Sequence, residues 1–145
     1  MSKAIAENRK ARFDYDILET LEAGIVLIGE EVKAIRAGKV NLAGSYGKIL
    51  AIGGKPEVWL VGANIATAEG DPSRSRKLLL NRREVDNLIG RAQEKGLTIL
   101  PLKMYLKRGY IKLELGIGRG RKKYDKRERI KEREVSKELR QKRMS

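Results

Sequence analysis

The chain has 145 residues, with 33 Lys and Arg against 19 Asp and Glu and a formal net charge of +14. A hydrophobic fraction of 41% is enough for the core of one ordinary domain, and no apolar run suits a signal peptide or a membrane span. Because neither His nor Cys occurs, disulfides, thiolate chemistry and the usual zinc ligands are excluded.

The positive charge predicts a polyanionic partner, because lysine and arginine pair with phosphates and release counterions. Two polyanions fit, a nucleic acid and an acidic membrane face, and a merely soluble basic protein is the plain alternative. The absence of cysteine suits a reducing compartment, and we expect the cytoplasm.

The first part of the chain predicts an arm, strands and a short helix. Residues 1–12 are polar and lack periodicity, and we expect a basic N-terminal arm, flexible or docked. In 13–28 the β-forming residues alternate and are interrupted at 22–24, which predicts two strands or one sharply bent strand. A helix is expected over 29–37, with Gly38 as its left-handed cap.

The middle of the chain predicts a hairpin and a capped helix. Strands are expected at 45–52 and 57–63, joined by a Gly-Gly-Lys-Pro turn. Asn81 and Glu84 have the spacing of an N-cap and a capping box, which predicts a helix over 82–95.

The remaining elements complete a mainly β fold with added helices. A loop is expected at 66–76, and strands 97–106 and 110–117 predict a second hairpin. Strands without βαβ alternation indicate an antiparallel, OB-fold-like β-barrel with short flanking α-helices, which we expect over 13–118.

The composition changes in the last segment, 119–145. It holds thirteen Lys and Arg against five Asp and Glu, and too few apolar residues for a core. Acidic and basic residues recur at helical spacing, as in Glu128 and Lys131. The segment is therefore predicted to be a basic C-terminal tail that is disordered alone, or helical when bound.

No motif predicts a catalytic or metal site. The segment 83–90 superficially resembles a Nudix helix, but the metal-binding glutamates are replaced by Asn87 and Leu88, and a capped amphipathic helix explains it. The glycines of 116–120 indicate either a flexible joint near phosphate or a plain linker. The remaining carboxylates have no paired spacing and are each interpreted as surface charges: Glu22, Glu30, Glu31, Asp71, Glu84 and Asp86. We therefore expect no enzyme, no cofactor and no metal, although a carboxylate-dependent nucleotide hydrolase would be the enzymatic alternative.

Several stretches together resemble a known family in order and spacing. They are 8–12, 14–15, 22–25, 31–33, 36–42, 45–46, 76–84, 125–127 and 130–133. From about Asn8 to Glu134 the chain resembles the SmpB family of SsrA-binding proteins. The resemblance implies an OB-fold barrel that binds the tRNA-like part of tmRNA, in place of the missing anticodon arm.

The resemblance also implies partners. The expected protein is a monomer that delivers alanyl-tmRNA, with elongation factor Tu, to bacterial ribosomes stalled on messages without a stop codon, a process called trans-translation or ribosome rescue. Its tail would become helical in the empty mRNA channel beside the decoding centre. Charge alone supports a second hypothesis equally well, a generic RNA-binding or ribosome-associated basic OB-fold protein without membrane contact.

The resemblance assigns tmRNA-binding roles to individual residues. Glu22 would accept hydrogen bonds from base amino groups or 2′-hydroxyls, or hold a neighbouring Arg, although a surface glutamate is the simpler interpretation. Leu79 would pack against an unstacked base, unless it is a core leucine. Lys112 would pair with phosphate, and the amide of Asn8 would read RNA edges. The other expected tmRNA contacts are Lys10, Arg12 and Lys33.

The resemblance places the ribosome-binding residues in the tail. Tyr124 stands where relatives often carry His, so it would keep base stacking in the decoding centre without a titratable nitrogen, and Phe13 similarly replaces a common His. The loop 66–76 is shorter than in some relatives. The expected rRNA-binding residues are Arg119, Lys122, Lys123, Tyr124, Asp125, Lys126, Arg127, Lys131 and Arg133.

Overall fold

A computed structural model describes residues 3–121 of the chain. The helices are α1 (Arg9–Asp14), α2 (Gly29–Arg36) and α3 (Arg82–Ala92). The strands are β1 (Lys3–Glu7), β2 (Tyr15–Ile25), β3 (Val40–Asn41), β4 (Tyr46–Ile52), β5 (Lys55–Val61), β6 (Asn64–Ile65), β7 (Arg76–Leu79), β8 (Leu97–Lys107) and β9 (Tyr110–Gly120).

The strands form an antiparallel barrel. Their order in the main sheet is β1-β8-β4-β5-β7-β2-β9, and β9 pairs again with β8, which closes the ring. Strands β4 and β8 share one registered pair, Gly47 opposite Ile99, so the barrel is only weakly closed there. A Cβ on Gly47 would lie 2.5 Å from Ile99 Cγ2, so this closure requires glycine. The predicted partly open antiparallel barrel with flanking helices is confirmed.

The core is aliphatic, as expected from a chain with one Trp and one Phe. Inward residues alternate along the strands and meet side chains from α2 and α3. The largest fully buried apolar members are Ile35, Leu42, Leu60, Ile65, Leu88, Met104, Leu113, Leu115 and Ile117.

Local signals located α2, α3 and the turns well. Gly38, with a φ of 76°, follows α2, and Asn81 and Glu84 form the capping box of α3. The first hairpin turn is tighter than expected, because Gly53 and Gly54 both have positive φ and make a two-residue turn. Strand β5 therefore begins at Lys55. The helix α3 ends at Ala92 and not at 95, since Glu94 N–H donates to Arg91 O in a tight turn.

The N-terminal segment is part of the barrel. Strand β1 pairs with β8, and its Ile5 and Ala6 pack against the core. Helix α1 follows and includes Phe13, so the predicted strand over 13–28 begins only at Tyr15. Strands β1 and β7 were not predicted from the sequence. Both are short and pair with segments far away in the chain, which the pattern of neighbouring residues does not reveal. Arg76, predicted at the end of a loop, opens β7.

The glycines of 116–120 are neither a joint nor a linker. They lie within β9, where Gly116 and Gly118 are buried. A Cβ on Gly116 would lie 2.7 Å from Leu102 Cδ1, and one on Gly118 would lie 3.0 Å from Leu100 Cδ1. Glycine is required here by the close approach of other side chains. The strand continues through Gly120, beyond the predicted barrel end at 118.

Candidate nucleic-acid interface

The outer side of the β2–β9–β8 sheet is divided into two halves. Residues Leu113, Leu115 and Ile117 of β9 point into the core, so the alternate positions of the strand face outward. Helix α1 packs on β2 and β8 over one half, where side chains of these two strands fill the space above Gly116 and Gly118. We call this the covered half, and its apolar members are Ala11, Tyr15, Ile17, Leu100 and Leu102.

The other half, which we call the open half, brings together three of the predicted RNA-binding residues. Gly24 of β2 lies opposite Leu79 of β7 on one side and opposite Lys112 of β9 on the other. Glu22 precedes Gly24 by two positions in the strand and therefore shares its face. The register thus places Glu22, Leu79 and Lys112 on one surface, with a glycine between the last two.

Leu79 is exposed on this surface. Its side chain is 52% exposed, whereas the preceding Leu78 is 3% exposed and belongs to the core. The alternative interpretation of Leu79 as a core leucine is therefore wrong. A Cβ on Gly24 would lie 3.2 Å from Leu79 Cβ, so the leucine leans over the space that the glycine leaves.

Glu22 is held by two side chains of β8. The Tyr105 hydroxyl donates to Glu22 Oε2 at 2.5 Å, and Lys107 Nζ lies 3.1 Å from the same oxygen. The hydrogen bonds from Tyr105 and Lys107 lower the pKa of Glu22, whereas burial and this carboxylate raise the pKa of Tyr105. The glutamate is ionised at neutral pH, and its partners are a tyrosine and a lysine instead of the expected Arg.

Tyr105 and Lys107 were missed in the sequence. The available signal was strand alternation, because Lys103, Tyr105 and Lys107 occupy every second position of β8. Lys103 Nζ also lies 5.5 Å from the centre of the Tyr105 ring. The open half therefore presents a line of cations beside one buried phenol.

Arg12 reaches this region from α1. Arg12 Nη2 lies 3.3 Å from Glu114 Oε1, and Lys103 Nζ lies 3.8 Å from Glu114 Oε2. These partly exposed ion pairs contribute little to stability, so both cations can exchange the carboxylate for another anionic group.

The prediction for Asn8 needs correction. Its side chain is buried, its amide nitrogen donates to Leu42 O and Pro101 O, and its Oδ1 accepts from Ala11 N–H. Both N–H donors are thus used inside the protein, which leaves none to read an RNA edge. Asn8 caps α1 and attaches it to the barrel.

The other predicted residues lie elsewhere. Lys10 lines a cleft of about 310 Å³ together with Tyr15 and Tyr46. Lys33 is exposed on α2, and Arg119 is exposed in β9 opposite Asp16. The predicted tail residues Lys122, Lys123, Tyr124, Asp125, Lys126, Arg127, Lys131 and Arg133 lie outside the described residues.

The last described residue is anchored. Arg121 Nε donates to Asp16 Oδ1 at 2.8 Å, and its backbone N–H donates to Asp14 O at 2.9 Å. The described part of the chain therefore ends beside the junction of α1 and β2.

Glu31 is not a surface charge, contrary to the sequence interpretation. It is 1% exposed and pairs with Arg76, which is fully buried, and with the partly exposed Arg74. Burial raises the pKa of Glu31, but hydrogen bonds from Arg74, the Ile28 N–H and Arg76 outweigh it, so the net pKa is lowered. Arg76 also donates to Ala63 O and Pro72 O. We call this arrangement the Glu31 clamp, because it joins α2 to β7 and the preceding loop.

A cationic antiparallel barrel with a partly apolar open face is the architecture of the oligonucleotide-binding fold, which many RNA-binding proteins use. The family model described as SmpB protein matches residues 5–145. SsrA-binding proteins of Geobacillus sp. and Gloeobacter violaceus are 52% and 50% identical over 143 residues, covering 94% of this chain and 90% and 91% of theirs. The chain belongs to the SmpB family.

A solved structure supports the same assignment. It is described as "tmRNA-SmpB: a journey to the center of the bacterial ribosome", and the matched chain is 49% identical with a TM-score of 0.67. The match covers 81% of this chain and 85% of the solved one.

None of the three helices described within residues 3–121 has the length and apolar character of a membrane-spanning helix.

Proposed function

We propose that this chain binds the tRNA-like domain of tmRNA, the SsrA RNA, and acts as the adaptor that brings it to stalled ribosomes in trans-translation. Its relatives are named SsrA-binding proteins, and the similar solved structure is described with tmRNA and the bacterial ribosome. The single observation in this chain that carries the proposal is the open half, where Glu22, Leu79 and Lys112 share one uncovered face.

The open half supplies three kinds of contact. Leu79 packs against a base that is unstacked in an RNA loop, because its exposed side chain offers an apolar surface beside Gly24. Lys112 pairs with phosphate. Glu22 acts by holding Tyr105 and Lys107 in place, and its remaining lone pairs accept from an RNA amino group or 2′-hydroxyl.

The tail has a separate role in this proposal. The barrel, which includes β1 and α1, holds tmRNA, and the basic tail contacts ribosomal RNA at the decoding centre and probes the empty mRNA channel. Elongation factor Tu takes part through the bound alanyl-tmRNA. The protein acts as a monomer in the cytoplasm, and it binds RNA without catalysis of its own.

A binding competition tests the proposal. At one fixed salt concentration, the chain is expected to prefer a transcript of the tRNA-like domain over a hairpin RNA of equal charge. The salt must be fixed because the phosphate contribution to affinity depends steeply on it. Equal affinities for the two RNAs would leave only a generic RNA-binding protein.

A truncation tests the division of roles. Removal of residues 128–145 is expected to leave the affinity for the tRNA-like domain within about tenfold, since only nonspecific charge is lost. The same truncation is expected to abolish tagging on stalled ribosomes in a reconstituted translation system. Loss of RNA binding in solution would contradict the separate roles of barrel and tail.

A further inference from the structure

The only Trp of the chain, Trp59, is not a core residue. It lies in β5 between the core residues Val58 and Leu60, so its side chain is on the outer side of the barrel. It is half-buried and does not belong to the core cluster. The ring is therefore on the outer side of the barrel, outside the core cluster, where part of it remains accessible to another molecule.

Two lysines lie on either side of Trp59 in the same row of the sheet. The register pairs Trp59 with Lys48 of β4 and with Lys77 of β7. Lys77 Nζ lies 3.1 Å from Glu57 Oε1 in a partly exposed ion pair, and within residues 3–121 no acidic side chain pairs with Lys48. Both ammonium groups are therefore available to phosphate.

The edge of the indole is already occupied. Trp59 Nε1 donates to Glu57 Oε2 at 3.2 Å, so the one polar atom of the ring has a partner. Within residues 3–121 no cation or aromatic ring lies over the indole. Recognition by this side chain would therefore use the ring face, as expected for stacking on a base and not for hydrogen bonding to one.

The Trp59 row continues the open half. Lys77 and Leu79 occupy alternate positions of β7 and so share a face. The N–H of Val26, the residue after β2, donates to Lys77 O. Val26 is itself an exposed apolar residue. An apolar and cationic strip thus runs from Leu79 across β7 and β5 to Lys48.

We propose that Trp59 is a stacking platform for one unpaired base of the bound RNA, with Lys48 and Lys77 holding the phosphates that flank it. The inference rests on the proposed function and deepens it, because it extends the RNA-binding face from the open half to β4. An aromatic ring flanked by cations suits single-stranded RNA, because each base can stack on the ring and each phosphate can pair with a cation.

Fluorescence tests the stacking directly, because Trp emission in this chain comes from Trp59 alone. Saturation with a transcript of the tRNA-like domain is expected to quench this emission and to protect it from acrylamide. A hairpin RNA without unpaired bases is the control and is expected to leave the emission nearly unchanged. Unchanged emission in the saturated tRNA-like complex would overturn the proposal, whatever the preference between the two RNAs.

Substitutions test the energetic role. Trp59→Leu is expected to weaken binding of the tRNA-like domain by about five- to 150-fold, the range for losing one stacked base, whereas Trp59→Phe stays within about threefold. Equal loss in both variants would overturn stacking. Thermal unfolding checks that Trp59→Leu folds. If this variant does not fold, the quenching of Trp59 emission in the wild-type complex decides whether the ring stacks on a base.

Charge variants test the flanking phosphates and separate the two proposals. Lys48→Gln and Lys77→Gln are each expected to lower the salt slope of binding by about one unit, and Lys95→Gln, exposed before β8, is the matched control. If Trp59→Leu and both lysine variants bind like wild type while the chain still prefers the tRNA-like domain, this inference fails and the proposed function stands. If the chain shows no preference for the tRNA-like domain but its Trp59 emission is quenched, the proposed function fails, while the stacking of Trp59 on an unpaired base stands.

Discussion

The Glu31 clamp and the open half use the same chemistry for different purposes. Each contains a glutamate that pairs with at least one cation from a distant segment of the chain, and the pKa of each glutamate is lowered. Glu31 is 1% exposed and its partner Arg76 is fully buried, whereas Glu22 is on an uncovered sheet face. A buried ion pair must keep its geometry because an unpaired buried charge is costly, but an exposed pair can reorganise around a ligand.

The comparison shows that burial decides whether a paired carboxylate stabilises the fold or remains accessible to a ligand. The clamp connects α2, β7 and the preceding loop, and every cation in it is already committed to protein oxygens. In the open half, Lys107 and Lys112 retain access to solvent and hence to phosphate. Four predictions test this comparison.

The largest effect is expected for Glu31→Gln. The substitution leaves the guanidinium of Arg76 buried without its counter-charge, so the free energy of unfolding should fall by about 3–5 kcal/mol. Urea unfolding measures this loss. The folded fraction should bind the tRNA-like domain normally, and a loss below about 1 kcal/mol would mean that the clamp is not a stabilising element.

Glu22→Gln is expected to show the reverse pattern. It removes the charge that holds Tyr105 and Lys107, so binding of the tRNA-like domain should weaken by about 1–3 kcal/mol while stability changes by less than about 1 kcal/mol. Titration with labelled RNA gives the affinity. Glu30→Gln, on the exposed side of α2, is the matched control, and equal effects in both variants would remove Glu22 from the RNA site.

Lys112→Gln is expected to act through phosphate alone. The slope of log affinity against log salt should decrease by about one unit, and the preference for the tRNA-like domain should be retained. The measurement is a salt titration, with Lys95→Gln as control. An unchanged slope would show that Lys112 does not pair with phosphate.

The smallest effect concerns pH. Because the folded pKa of Glu31 lies below its ordinary value of 4.5, its stabilisation is present above pH 4.5 and is lost as the pH falls through the folded value. Urea unfolding of wild type from pH 7 downward should show this acid loss, and Glu31→Gln should reduce its slope. Glu22→Gln should change the slope less, because an exposed pair contributes little to stability. An equal change in both variants would contradict the comparison.

Much of the candidate site could be predicted from the sequence, because the resemblance pointed to Glu22, Leu79 and Lys112 one by one. What it could not supply was their common face, which follows from the register of β7, β2 and β9 about Gly24. Tyr105 was missed because its hydroxyl meets Glu22 across a strand. Asn8 was assigned to RNA by the resemblance, and nothing in its neighbourhood along the chain reveals the carbonyls of Leu42 and Pro101 that occupy its amide.

The sequence by itself determined the features that depend on contiguous residues: the caps of α2 and α3, the glycine turns of both hairpins and the alternation of the long strands. These depend on backbone conformation and local hydrogen bonds, which nearby residues specify. Only the tertiary structure decided which surfaces are covered. Helix α1 packs on β8, and Glu31 is enclosed with Arg76, because segments far apart in the chain pack there. Burial depends on such packing. Glu31 is buried and stabilises the fold, whereas Glu22 remains accessible to a ligand.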